Sequence, residues 1–231
     1  MNWYSVGLDL GQVQDFTAVA VLERAELLGE WDASMYAHRK HVELRLRYLE
    51  RMPLGTPYPT VAERVVKITR SDALAGRCVL AVDATCVGRP VVDMLKRERP
   101  GCTLMPVNIT SGGAESRSCG YYGVPKRDLV TGMQVLLQSG GLQIASGIPH
   151  GATLAAEMAD MRAKVTAAGN TQFGAWREGA HDDLVLAVAL ACWAARRRHP
   201  RGRYGAAEYW KRAEQGGWER GIKQWGQGRV V

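Results

Sequence analysis

A mixed α/β domain, with a sheet of five or more strands built on a βββαβαβ core, flanking helices and a basic C-terminal extension, is the fold class that the sequence predicts. Three observations predict it. Apolar runs of strand length with period-two or β-branched character crowd the first third of the chain. Beyond them, short apolar strands alternate with segments of helical periodicity, the pattern of an open α/β sheet. The charge is segregated: Lys+Arg 30 against Asp+Glu 23 gives +7 overall, yet residues 1–195 hold 20 basic and 20 acidic side chains and residues 196–231 hold 10 and 3.

The elements follow in order. Residues 3–10 place Val6, Leu8 and Leu10 on one face and Gly7 and Asp9 on the other, as a half-buried strand does. Gly11 to Asp15 turns the chain into the apolar run Phe16 to Leu22, and residues 31–42 supply a third strand in hairpin fashion. After the proline-rich stretch Pro53 to Pro59, Thr60 is placed to cap a helix carrying Val61, Val65, Ile68 and Leu74 and ending at Gly76. Cys78 to Val82 is a strand delivering Asp83 at its end, residues 88–98 are helical, and Pro100-Gly101 separates them from a strand over 102–109. Residues 110–123 are rich in Gly and Ser and carry no periodic signal. Helices are expected over 126–138 and 152–165, with a short strand at 142–145 between them and an edge strand at 171–177. A final helix over 182–198 closes a domain spanning 1–198. Residues 199–231 form a Gly- and Trp-rich basic tail with one short helical stretch near 206–215.

Composition excludes several classes. With 46% hydrophobic and 23% charged residues, the chain is neither disordered nor fibrous. The longest apolar run, Leu184 to Ala195, is short of the roughly 20 residues that span a bilayer and reads as a buried helix. The N-terminus enters a strand at once, so export is not expected. Five cysteines without C-x-x-C spacing fit reduced thiols in a cytoplasm.

Three segments end or begin an apolar element with an acid: Asp9 in VGLDLG, Asp83 in VLAVDAT, and Asp182-Asp183 in HDDLVLAVALA. If the first strand lies beside the one ending at Asp83 and the last helix packs on that sheet, these acids converge. Carboxylates so gathered raise one another's pKa, and hard divalent cations relieve the conflict. A pair of Mg²⁺ or Mn²⁺ ions about 3.5–4 Å apart can activate water and stabilise a leaving oxygen in phosphodiester cleavage. Each acid also has a plainly structural alternative, as a turn former or, for Asp182, an N-cap. Adjacent helical residues diverge by about 100°, which favours Asp183 as the direct ligand and Asp182 as N-cap, supporting group or second-metal ligand. Asp15, in the turn, is a secondary contributor or a turn residue.

The stretch VGLDLGQVQDFTAVAV resembles the opening of the nuclease domain of viral large terminase subunits, of the RNase H-like, RuvC-like superfamily. VDATCVGRPVVDML is similar to that family's second acidic segment and HDDLVLAVALA to its third, with VNITSGG and VPKRDLV resembling the connecting segments, over roughly residues 4–196. The resemblance implies an RNase H-like fold and a metal-dependent endonuclease cutting double-stranded viral DNA during packaging. Asp9, Asp83 and Asp183 are then catalytic, holding two Mg²⁺ or Mn²⁺ ions with Asp182 and Asp15 assisting. The implied partners are DNA, the portal, a separate packaging ATPase and the small terminase subunit, in the cytoplasm of an infected bacterium. No Gly-Lys dipeptide occurs, so the ATPase's G-x-x-x-x-G-K-S/T phosphate loop is missing, and a separately encoded nuclease or the C-terminal part of a larger product is expected.

A close rival within the same fold is a RuvC-type junction resolvase; alternatives of other classes are a sugar-kinase or actin-like ATPase, suggested by Asp9-x-Gly11 but too short here, and a non-catalytic DNA- or portal-docking module. Lys126 reads first as a surface lysine at a helix start and second as a phosphate contact, and Arg196, Arg197 and Arg198 open a tail that is either a solvated extension or a phosphate-binding one. Tail aromatics such as Trp210, Trp218 and Trp225 suit stacking on unpaired bases or protein docking. His38 and His41 read as a solvated face, His181 as a weak proton-shuttle candidate, and Glu157, Asp160 and Lys164, like Asp93 and Arg97, as solvent-facing helical residues.

Overall fold

The computed structural model describes residues 3–11, 15–85, 88–165, 171–175 and 181–197. The expected tail, its helical stretch, Arg198 and Cys86 lie outside the described residues.

An eight-stranded mixed sheet forms the middle layer. Strand β1 (Trp3–Asp9) sits near its centre, pairing antiparallel with β2 (Ala18–Asp32) and parallel with β4 (Cys78–Asp83). β3 (Ala37–Arg51) extends the antiparallel side and β5 (Thr103–Thr110) the parallel side. The edges are β8 (Leu142–Ile144) beside β3, and β7 (Tyr121–Pro125) with β6 (Ser116–Ser118) beyond β5. The βββαβαβ order is as expected, with α1 (Tyr58–Thr69) and α2 (Gly88–Glu98) as its crossovers.

The period of two sorts side chains to the two faces. Val6, Leu8, Val19, Val21, Leu80 and Val82 pack against Val61, Val65, Val91 and Leu95 of α1 and α2. Ala18, Ala20, Leu22, Val79, Ala81 and Val107 face the opposite layer, made of α3 (Lys126–Gln138), α4 (Gly151–Asp160) and α5 (Asp183–Arg197). Every residue of α5 from Asp183 to Ala195 is buried, which explains why its sequence is apolar all round. It is too short to cross a membrane, and no described helix is long and apolar enough to do so.

Several elements depart from expectation. The β2–β3 hairpin turns at residues 33–36, so both strands run far past the apolar stretch, and the two-residue pattern continues through charged side chains exposed to water. Helix α1 begins at Tyr58, two residues before Thr60, with Pro57 at the N-cap and no side-chain cap; Pro59 lies in the first turn, which tolerates proline because N–H groups there have no helical partner. The Gly/Ser-rich stretch 110–123 yields β6 and the start of β7. The predicted helix 152–165 stops at Asp160; residues 161–165 form β9 (Met161–Val165), paired antiparallel with β10 (Thr171–Ala175) as a separate ribbon, so the expected edge strand joins β9 and not the main sheet.

Candidate metal centre

Parity and register bring the acids together. Ser5, Gly7 and Asp9 alternate away from Val6 and Leu8, so Asp9 points toward α5; Asp83 does the same, following Val79 and Ala81. The pairing of β1 with β4 runs Leu8 opposite Val82, which sets the two aspartates next to one another at the carboxyl ends of parallel strands, where open α/β sheets bind ligands. On the other side Asp9 pairs with Ala18 and Ala18 with Arg51. Asp83, Asp9, Ala18 and Arg51 therefore form one row across four strands, on the face that α5 covers.

Burial makes this row electrostatically tense. Asp9 is 7% exposed, and its carboxyl is held well above the ordinary carboxylate range, first by burial and then by the neighbouring charges of Asp83, Asp182 and Asp183, with Lys126 opposing. Burial also raises Asp83, against hydrogen bonds from Thr85 and the charge of Lys126. Those bonds fix its orientation: the Thr85 amide (2.9 Å) and hydroxyl (2.5 Å) both donate to Asp83 Oδ1, and Thr85 Oγ1 accepts the Ile109 amide at 2.8 Å. Gly88, the first residue of α2, has no room for a side chain, since a Cβ there would lie 2.4 Å from the Asp83 carbonyl oxygen.

The two side chains of the Asp182-Asp183 pair go to different partners. The Asp182 carbonyl accepts the Leu186 amide at 2.9 Å, the N-cap backbone position, yet its carboxylate caps nothing and instead takes a 2.6 Å ion pair from Lys126 Nζ. Lys126 is thus a site residue, engaged with an acid. Asp183 turns inward and accepts Arg51 through both oxygens, Nε to Oδ2 at 2.8 Å and Nη2 to Oδ1 at 3.0 Å. Arg51 also bonds Glu157 Oε1, while Glu157 Oε2 accepts the Leu184 and Val185 amides at 3.1 and 3.2 Å. Glu157 is therefore the cap of α5 and is 6% exposed, which corrects its reading as a solvent-facing residue.

Arg51 and Glu157 are the residues of the candidate site that the sequence reading missed. Neither lies in an acidic motif; only the register of an extended β3 and the early end of α4 bring them in. Asp15 is exposed on the turn and Phe16 beside it packs edge-on against His181 at 4.9 Å and beneath the Arg51 guanidinium at 4.7 Å. Arg197 is distant in role: it pairs with Glu115 and covers the Trp193 ring at 4.3 Å. His38 and His41 are exposed, and Asp93 pairs with Lys96 on the solvent side of α2, as expected.

Counted together, Asp9, Asp83, Asp182, Asp183 and Glu157 set five acids against two cations, Lys126 and Arg51. As the side chains stand, no three His, Cys, Asp or Glu among the described residues are grouped to hold one ion, and Asp182 and Asp183 are turned onto those cations. The donor set is all carboxylate oxygen, partly buried and short of positive charge, which suits hard divalent cations.

No protein-family model matches the chain. It is 26% identical over 188 residues to the large terminase subunit of Thermus phage G20c and 25% over 188 residues to that of Thermus virus P23-45, in each case across 81% of this chain and 31% of the relative. The chain thus spans about a third of the length of these curated relatives. Among solved structures, the large terminase nuclease of phage G20c superposes with a TM-score of 0.57 at 22% identity, over 82% of this chain and 81% of that one. The same nuclease with bound magnesium gives 0.56 at 22%, over 83% and 81%. The nuclease domain of the Thermus phage P74-26 large terminase gives 0.54 at 20%, over 88% and 84%. The fold is the RNase H-like fold, and in both sequence and architecture the chain is similar to the nuclease domain of viral large terminase subunits.

Proposed function

We propose that this chain is a divalent-metal-dependent endonuclease that hydrolyses phosphodiester bonds of double-stranded viral DNA during genome packaging. The observation that carries the reading is the pairing of Asp9 and Asp83 at the ends of adjacent parallel strands, with the Asp9 carboxyl pushed upward first by its burial and then by its acidic neighbours. A buried cluster of like charges costs stability unless it serves a cation. The likeness to the G20c nuclease, which has been solved with bound magnesium, supports the same reading.

In this reading Asp9, Asp83 and Asp183 hold two Mg²⁺ or Mn²⁺ ions, with Asp182 supporting and Asp15 at the rim. Bound ions supply a nucleophilic water at neutral pH and neutralise charge on the leaving oxygen. The protein's share is orientation. Thr85 fixes the rotamer of Asp83, Glu157 anchors the first turn of α5 so that Asp183 faces the row, and Lys126 offers a positive charge beside Asp182 at the mouth of the site. The rigid strands hold these groups before substrate arrives, which is where such sites gain rate. Residues 1–195 are formally neutral, so attraction for DNA comes from the bound ions, from local basic patches or from the basic residues 196–231. The portal, a packaging ATPase and the small terminase subunit are the partners proposed within a packaging complex, in the cytoplasm of an infected bacterium.

The test is incubation of supercoiled plasmid with the purified chain and Mn²⁺. Nicking and linearisation that EDTA stops, and that Asp9→Ala and Asp83→Ala lose, support the proposal. Intact plasmid with the wild type, or undiminished cutting by either variant, overturns it.

A further inference from the structure

Arg51 stands in a position that metal chemistry alone does not explain. Its side chain is 14% exposed and those of its partners Glu157 and Asp183 are 6% and 4% exposed. Both oxygens of Asp183 are occupied by its guanidinium, a bidentate geometry that fixes the carboxylate in plane and register. The Phe16 ring closes one side of the guanidinium. A divalent ion at Asp183 competes with Arg51 for the negative charge of this one carboxylate and for space beside its oxygens, each of which already accepts one Arg51 bond. Arginine does not give up its proton, so it cannot leave the pocket as a neutral group, and a bare buried guanidinium is costly. It already touches a second carboxylate, Glu157, which is anchored on the α5 amides and can take it over.

We propose that Arg51 is a positioning residue that stands in for the second cation: it holds Asp183 aimed and charge-compensated in the metal-free protein and shifts onto Glu157 when a divalent ion binds. The inference rests on the reading of Asp183 as a metal ligand. It makes Arg51 a competitor of the metal at that carboxylate, so the occupancy of one of the two ions depends on how firmly Arg51 is held elsewhere. Removing the charge of Arg51 weakens the metal-free fold and at the same time frees Asp183. Removing the charge of Glu157 takes away the alternative anchor, so Arg51 grips Asp183 harder, while an amide oxygen at position 157 still accepts the α5 amides.

The experiment is calorimetric titration of the full chain with MnCl₂ in the absence of DNA, for wild type, Arg51→Gln and Glu157→Gln, with melting temperatures recorded with and without Mn²⁺. Expected are a lower metal-free melting temperature for Arg51→Gln, a several-fold lower Mn²⁺ half-saturation for its weaker ion than in wild type, and a larger rise of its melting temperature on Mn²⁺ addition. Glu157→Gln is expected to move the half-saturation several-fold the other way, and this arm decides the matter if Arg51→Gln does not fold. A purely structural role for Arg51 lowers the melting temperature but does not tighten Mn²⁺ binding. Unchanged or weaker binding in Arg51→Gln, or unchanged or tighter binding in Glu157→Gln, overturns the inference and leaves the nuclease proposal standing. Absence of Mn²⁺ uptake by the wild type overturns both.

Discussion

Gly7 of β1 lies directly under Ala187 of α5: a Cβ at Gly7 would stand 2.0 Å from the Ala187 carbonyl oxygen and 2.7 Å from the Ala191 amide nitrogen. Asp9 is two residues beyond Gly7 on the same face of β1, and Asp183 is one turn before Ala187. The close approach of strand and helix is therefore what brings Asp9 and Asp183 into one site.

Gly7→Ala must push α5 away from the sheet, because the clash is with backbone that has no rotamer to escape into. The substitution is expected to cost at least the roughly 1–3 kcal/mol of core overpacking, read as a lowered midpoint in urea unfolding, and to lose cleavage even where folding survives.

The raised carboxyl of Asp9 makes metal-free stability depend on pH with a definite sign. Because its folded pKa lies above the ordinary 3.8, the folded state binds more protons than the unfolded one across the interval between them, and stability falls as pH rises through it. Asp83 shifts in the same direction. Asn does not titrate, so Asp9→Asn in EDTA should melt above the wild type at neutral pH, and the gap should close as the pH falls below the ordinary carboxylate value. Thermal denaturation across that range checks it; a gap that is constant with pH would count against the proposed burial of charge.

Lys126 opposes the upward shifts of both Asp9 and Asp83. Lys126→Met removes that opposition, and both carboxyls then need a higher pH to ionise. The acid limb of the cleavage profile should move to higher pH, and the metal-free melting temperature at neutral pH should fall, because the acids that Lys126 compensates are then ionised at greater cost.

Gly88 constrains the turn that carries Asp83. With a Cβ due 2.4 Å from the Asp83 carbonyl oxygen, Gly88→Ala should shift Asp83 within a fold that persists. Displacement of a reacting group by about 1 Å costs on the order of a hundredfold in rate, so kcat should drop far more than Tm.

Truncation after Arg197 removes eight basic and three acidic residues, a net loss of 8 − 3 = 5 positive charges. DNA affinity should fall and its logarithmic salt dependence flatten, as fewer phosphates are neutralised. Cutting at high DNA concentration should persist.

Much of this was legible in the sequence. The alternation around Gly7 and Asp9, the apolar run ending at Asp83 and the all-apolar helix after Asp183 each carry a local signal, and those signals gave the sheet core, its order and four acids gathered in space. What escaped depended on register and competition. Arg51 becomes part of the site only because β3 runs on through charged residues that look like surface, and because a two-residue count from Asp9 through Ala18 ends on it. Glu157 sits on a segment whose periodicity continues past Asp160, where the backbone leaves the helix to pair as β9. Asp182 satisfied the expected N-cap position, but its carboxylate went to Lys126, a partner 56 residues away that no spacing within the HDDLV segment reveals.

Anomalous diffraction from crystals soaked in Mn²⁺ tests the central claim most directly. The account predicts Mn²⁺ peaks within coordinating distance of the Asp9 and Asp83 carboxylates, lost in Asp9→Asn. A fully soaked crystal of the wild type with no anomalous peak at this pair, or with the metal bound only elsewhere, would contradict it.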